Sequence, residues 1–290
     1  MRAQTRSSST SYGQVATVME SPGELRTLLA EVEEYFEHGA TVARGATVVD
    51  VGANIGAFAI AVARRCEREA RIFCFEPVPT LFAALECNLR ENPWLAPGSH
   101  RAFNVALGTA EDAGAPCELY YFRRFPRDST MDLEGKRREF EAFFAAQGAR
   151  VGKQVSWLGP GAKVVERTIS ILPRGPVGRW LSDRVTGLVR LQVPQKTLSG
   201  VLDEAPLPRI DLLKVDVEGA EVRVLAGITP TTWATVQQAI IESDGTEERT
   251  RGLVSLLTAR GLDRIRVASP ASTAERGLPN VIIHASRSSQ

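Results

Sequence analysis

Short apolar runs, each ending at an acid or a glycine, alternate with longer stretches whose apolar residues recur at helical spacing. Leu25, Leu28, Leu29, Val32, Tyr35 and Phe36 follow Ser21-Pro22-Gly23-Glu24, which reads as a capping box with Pro at the first helical position. This predicts a helix that packs on a sheet, its aromatic end in the core or against a ligand. Val48, Val49 and Val51 then form a run suited to a strand buried on both faces. The run breaks at Gly52, and after Gly56 the stretch from Ala57 to Arg65 is apolar almost to its basic end. Strand, glycine turn and helix make the first βα unit of a nucleotide-binding α/β fold, whose ligands sit over the carboxyl ends of the strands.

The alternation continues. Residues 71–75 predict a second strand ending at Glu76-Pro77, and a helix runs from about Thr80 to Arg90. Residues 101–108 predict a third strand. Ile210 to Gly219 is a fourth, ending in two acids and a glycine, and Ala220 to Leu225 a short helix closed by Gly227. Val236 to Ile241 is a fifth strand, ending at Glu242-Ser243-Asp244. A helix carrying Leu253, Leu256 and Leu257 ends before Gly261. Residues 262–267 and 280–284 predict a closing antiparallel pair.

The pattern is interrupted between residues 115 and 200. A strand-like run over 118–122 leads to a loop holding Arg123, Arg124 and Arg127. A charged helix is predicted from about Leu133 to Gln147 with Phe140, Phe143 and Phe144 as its apolar positions. Trp180, Val185 and Leu188 mark another short helix. The organisation expected is an arm or disordered segment over 1–20 and the first half of the α/β domain over 21–114. A lid-like insertion covers 115–200, the second half 201–285, and a disordered tail 286–290.

Spacing bears on which nucleotide binds. A dinucleotide fingerprint wants glycines at 52, 54 and 57, where this chain has Gly52, Asn54 and Ala57, with a further glycine at Gly56. Asp50 would also set a carboxylate close to a pyrophosphate. S-adenosylmethionine has no phosphate, and its ammonium and sulfonium tolerate an acid. Asp50, Gly52, Asn54 and Gly56 therefore fit that cofactor better than a nicotinamide dinucleotide, although a tight turn without a ligand has the same pattern. Glu76, twenty residues after Gly56, stands where an acid can accept hydrogen bonds from both ribose hydroxyls. Asn104 or the backbone near Ala106 can meet the adenine edge, or simply end a strand.

Composition narrows the setting. Among 290 residues, 35 basic against 34 acidic side chains leave a net charge of +1, which argues against a general nucleic-acid-binding surface. The charge is uneven: residues 117–196 hold 15 Lys and Arg against 8 Asp and Glu, a balance of +7 on an acidic remainder. Cys66, Cys74, Cys87 and Cys117 form no C-x-x-C pair and read as reduced thiols of a cytoplasmic protein. No signal peptide and no apolar run of membrane-spanning length is visible.

Taken together, VVDVGANIG (48–56), FEP (75–77), NVALG (104–108), RDST (127–130), DLLKVDVEGAEVRVLAG (211–227) and IIES (240–243) resemble the FkbM family of S-adenosylmethionine-dependent methyltransferases. The resemblance implies the class I methyltransferase fold: a Rossmann-like, seven-stranded, mostly parallel sheet with one reversed strand, in the order 3-2-1-4-5-7-6. It implies O-methylation of a polyketide, sugar or lipid hydroxyl. The family's frequent His two residues after the fifth-strand Glu is replaced here by Asp244, so a base role for it does not carry over. His38, His100 and His284 read as structural or surface residues.

A hydroxyl becomes a nucleophile once a base or a metal takes its proton. Asp216, at the tip of the fourth strand, is the first candidate, and Glu242, at the tip of the fifth, the second. Glu221 fits a turn-holding or Arg-pairing role. Asp216, Glu242 and Asp244 together offer oxygens of the kind that bind Mg²⁺, or cap local backbone groups. The basic, aromatic insertion suits an amphipathic acceptor carrying negative charge, such as a polyketide-like chain on the phosphopantetheine arm of an acidic carrier protein. Arg123, Arg124 and Arg127 would line the mouth. The other readings are a sugar or glycolipid O-methyltransferase, a nicotinamide oxidoreductase, a nucleic-acid methyltransferase and a non-catalytic cofactor-binding module.

Overall fold

The computed structural model describes residues 6–18, 22–138, 183–184, 186–204, 206–271 and 280–288. Seven strands make the central sheet: β3 (Thr47–Val51), β4 (Arg71–Phe75), β5 (His100–Phe103), β9 (Leu212–Val215), β10 (Gln238–Ser243), β11 (Arg264–Ala268) and β12 (Val281–Ser286). Their order, β11-β12-β10-β9-β3-β4-β5, is the 3-2-1-4-5-7-6 order expected. Pairings from β5 to β10 are parallel, and β12 runs antiparallel to β10 and β11. This is the class I methyltransferase sheet. Among the described residues, no helix is long and apolar enough to cross a membrane.

Helices cover both faces, so the central strands are apolar on both. Val48, Ile72, Leu212 and Ile240 face one core with α1 (Pro22–Glu37), α2 (Ala57–Arg65) and α3 (Pro79–Glu91). Val49, Phe73, Leu213 and Ile241 face the other. There they pack with α4 (Leu198–Leu202), α5 (Glu221–Ala226), α6 (Pro230–Thr235) and α7 (Glu247–Ala259). The four cysteines are free thiols, Cys66 and Cys74 buried.

Three expectations change. Residues 6–17 form a hairpin, β1 (Arg6–Thr10) with β2 (Gly13–Thr17), where an arm or disorder was expected. Tyr12 and Val15 bury against the body, and Asn88 on α3 donates to and accepts from the Ala16 backbone. The predicted third strand is two strands. The Asn104 side chain donates to the carbonyls of Glu76 (2.8 Å) and Pro77 (3.0 Å), and the chain leaves the sheet there. It continues as β6 (Ala106–Leu107), parallel to β8 (Leu188–Lys196). Leu188, expected in a helix, opens β8, which pairs over its length with β7 (Pro116–Phe122). Of the helix expected from 133 to 147, residues 133–138 are helical. Phe140, Phe143, Phe144, Trp157, Trp180 and Val185 lie outside the described residues.

Candidate active site

A cavity opens over the carboxyl ends of β3, β4, β9 and β10. Its floor is the turn after β3. Gly52 has a φ of +77°, and a Cβ there would stand 1.7 Å from the Asp216 carbonyl oxygen, so no side chain fits at this position. Asn54 is also left-handed (φ 51°) and caps its own turn by accepting from the Ile55 N–H at 2.8 Å. Gly56, likewise at positive φ, begins α2, and a Cβ there would press on Leu85.

Glu76 enters from the tip of β4. Its Oε2 accepts from the Asn54 N–H at 2.9 Å and its Oε1 from the Val78 N–H at 2.8 Å. Burial raises its pKa to about 7 against the pull of those two donors. Each oxygen keeps a lone pair for a further donor. Val105, Ala106, Leu107, Phe75, Pro77 and Leu81 add an apolar wall beside it. Of the expected cofactor contacts, Gly52, Asn54, Glu76 and Ala106 line the cavity. Asp50, Gly56 and Asn104 stand behind it. Asp50 is fully buried 3.2 Å from the Lys214 ammonium, Gly56 starts the helix, and Asn104 braces the loop after β4. A glycine floor, a carboxylate able to accept two hydroxyls and an apolar wall fit an adenosyl group.

The other half of the cavity is acidic and is assembled from distant segments. Asp216 lies just past β9, and Glu242 lies near the end of β10. The Tyr35 hydroxyl, from α1, is 2.5 Å from Glu242 Oε2 and 3.1 Å from Asp216 Oδ2. Burial and the Asp216 charge push the Glu242 pKa up to about 8. Burial, then Asp216 and Glu242, hold the Tyr35 phenol well above its usual value. Lys214 is buried in β9, donates to the Gly52 carbonyl at 2.8 Å and lies 3.4 Å from Asp216 Oδ2. Burial alone would lower its pKa, but Asp50 and Asp216 reverse that and raise it.

The segment after β7 closes over this half. Pro126, Arg127, Ser129 and Met131 line the cavity, with Arg127 paired to Glu31 of α1. Thr130 Oγ1 donates to the Glu218 carbonyl at 2.7 Å, and the buried Lys136 ammonium reaches Glu218 Oε2 at 2.7 Å. Glu218 has a left-handed backbone (φ 51°) that these contacts hold in place. Of the three arginines expected at the mouth, Arg127 is on the wall, while Arg123 is exposed beside Gly187 and Arg124 is half-buried.

Asp244 turns away from the acid pair. Its Oδ1 accepts from the Thr246 N–H (3.1 Å) and hydroxyl (3.0 Å), at the start of α7. Among the described residues no group of three His, Cys, Asp or Glu side chains is placed to hold a metal. Glu221 accepts from the Gly219 N–H at 2.7 Å and meets Arg249 at 3.4 Å, the turn-holding role read from the sequence. Glu31, Tyr35 and Lys214 are site residues that pattern reasoning did not single out: Tyr35 stood among the packing positions of α1 and Lys214 inside the fourth strand. The signal for the first two was their i, i+4 spacing on one face of α1.

Comparison with known proteins adds the following. The family model described as the methyltransferase FkbM domain matches residues 50–263. Methyltransferase sdnD of Sordaria araneosa is 30% identical over 76% of this chain and 74% of its own length. The 31-O-demethyl-FK506 methyltransferase FkbM of Streptomyces tacrolimicus is 27% identical over 81% of this chain and 80% of its own. AMB antimetabolite synthetase AmbE of Pseudomonas aeruginosa is 31% identical over 80% of this chain, which spans 10% of AmbE. Methyltransferase FkbM of Methylobacillus flagellatus KT is similar in structure, with a TM-score of 0.45 and 14% identity over 92% of this chain and 56% of its own.

Proposed function

The chain belongs to the FkbM methyltransferase family, and from that premise we propose that it O-methylates a hydroxyl of a natural-product intermediate. The observation that carries this reading is the pairing of Asp216 and Glu242 in one cavity with the Gly52 turn and Glu76. When bound, S-adenosylmethionine supplies an electrophilic methyl group on a sulfonium. Gly52 and Asn54 would shape its seat, Glu76 would accept its ribose hydroxyls, and Val105 to Leu107 would flank its adenine. Asp50 acts through Lys214 and the turn.

Asp216 is the base in this reading. Its carboxylate faces the cavity, while Lys214 and Tyr35 hold it in one orientation. Leu28, Val32 and Met131 offer the acceptor an apolar lining. A nicotinamide oxidoreductase loses its support with the family assignment, and the paired acids argue against a binding module.

The acceptor is polyketide-like and carried on a protein-bound arm. The +7 balance of residues 117–196 supports this, because a basic segment attracts an acidic carrier. The match to part of a synthetase supports a setting of several components. The test is mass spectrometry of free and carrier-bound acceptors after incubation with cofactor, with and without a chelator. Reversing Arg123 and Arg124 to Glu should slow carrier-bound turnover far more than free turnover. Equal turnover of both acceptors, insensitive to salt, would favour a free sugar or released product instead. Turnover lost to the chelator would bring a metal back into the reaction.

A further inference from the structure

Tyr35 precedes the matched family segment, yet its hydroxyl is the atom that joins the two strand-tip acids. It is 4% exposed. Its ring meets Phe58 edge-on at 5.7 Å between centroids, and Lys214 Nζ lies 5.8 Å from the ring centre. A buried tyrosine usually finds one acceptor for its hydroxyl. Here the single phenolic proton is offered two carboxylates, and only one can take it at a time. That leaves the phenolic oxygen open to accept from whichever acid carries a proton.

We propose that Tyr35 relays the acceptor's proton from Asp216 to Glu242. This rests on Asp216 being the base. As the acceptor O–H bond breaks, its oxygen forms the bond to the methyl carbon and the thioether leaves with the sulfonium electron pair. The proton goes to Asp216 Oδ2. Tyr35 Oη accepts it and gives its own proton to Glu242 Oε2, which is ionised at the start of the cycle and returns one proton to water after product release. Charges are conserved, and no further reactant is needed. Glu242 suits the end of the path, since burial and the Asp216 charge make it hold a proton more tightly than an ordinary carboxyl.

The groups facing this pair come from every neighbouring element. They are Glu31 from α1, Lys214 and Asp216 on β9, and Asn280 before β12, whose Nδ2 is 3.3 Å from Glu242 Oε1. Arg127 faces it from the loop after β7. Tyr35 is the one of these that touches both acids and can pass a proton in either direction.

The test is Tyr35→Phe, which keeps the ring on Phe58 and removes the hydroxyl. Turnover should fall about 10- to 100-fold, a share of what proton transfer contributes. Cofactor and acceptor affinities should stay within about threefold. The limb of the kcat profile set by Glu242, near pH 8, should move upward, because a donor that favours its charged form is gone. Without cofactor, the pH dependence of thermal unfolding should show the same upward move, a readout independent of turnover. Glu242→Gln should lose a comparable factor, and the double variant no more than either single one. Unchanged turnover in Tyr35→Phe, or reduced turnover with both pH curves unmoved, would overturn the relay. If Asp216→Asn retains turnover, the base assignment fails. If it loses turnover while Tyr35→Phe does not, the relay alone fails.

Discussion

At the tip of β4, Glu76 is fastened by backbone: both of its oxygens accept from main-chain N–H groups, and its position follows from the course of two adjoining loops. At the tips of β9 and β10, Asp216 and Glu242 are fastened by side chains, Tyr35 between them and Lys214 beneath. Both places are acid sites at the same edge of one sheet, yet they suit different work. A carboxylate pinned by backbone keeps its lone pairs aimed at fixed points, which is what recognition of a constant ribose requires. A pair joined by a hydroxyl can, on the proposed relay, exchange protons without moving the chain.

The comparison breaks most readily at Asp216. Asp216→Asn keeps the shape and removes the charge, so turnover should fall by about 10²–10⁴, the usual contribution of a general base. Calorimetry should show cofactor affinity almost unchanged. An equal loss in binding and turnover would mean that the two halves act as one site.

Glu242→Gln sharpens the contrast through pH. Burial and Asp216 raise the Glu242 pKa from 4.5 to about 8, so the folded state binds its proton more tightly than the unfolded chain does. Its contribution to stability is therefore complete below about pH 4.5 and is lost as pH rises through about 8. Glu76 adds the same trend up to about pH 7. The melting temperature of the cofactor-free protein should decline across this range. Glu242→Gln, neutral at every pH, should flatten the upper part and leave the portion due to Glu76. A parent melting temperature that rises from pH 5 to 8 would contradict both assignments.

Glu76→Ala addresses the other half. Cofactor affinity should weaken by about 1–3 kcal/mol, the range for hydrogen bonds to a charged group, and the acceptor KM should hold. The released Asn54 and Val78 N–H groups make part of this loss indirect. Glu76→Gln separates the terms, because it retains an acceptor oxygen and removes the charge.

The same contrast explains how much was legible in the chain. Gly52, Asn54 and Glu76 lie within 25 residues of one another, and local rules place them: a buried strand, a turn needing positive φ, an acid before proline. The order of the seven strands follows from the same alternation together with the family resemblance. Tyr35, Lys214 and Glu242 come from three segments up to 207 residues apart, and no periodicity records their meeting. A tyrosine at a core position of α1 and a lysine inside a buried strand both looked like parts of the packing. Lys214 is buried because Asp50, Asp216 and the Gly52 carbonyl all receive its ammonium, which is visible only after folding. The β1–β2 hairpin escaped notice because its serines and threonines suit a solvated segment as well as a strand. Tyr12 and the backbone of Ala16 attach it to the body.

Asn104 supplies the finest division between holding the cofactor and shaping its seat. As a strand-end amide it was expected at the adenine edge. It donates instead to the carbonyls of Glu76 and Pro77, and it does not line the cavity. Removing it deprives two carbonyls of a donor and loosens the loop that carries Glu76. Asn104→Ala should then weaken cofactor binding by about 0.5–1.5 kcal/mol, the net value of an ordinary hydrogen bond, with turnover at saturation unchanged. A brace and a direct contact predict different behaviour toward an altered base. If Asn104 only braces the loop, S-adenosylmethionine and its hypoxanthine-bearing analogue should lose affinity equally in the variant. If its amide reads the purine edge, the parent should separate the two and the variant should not. Competition calorimetry with both compounds decides this, and an unequal loss would move Asn104 from the scaffold into the recognition half of the site.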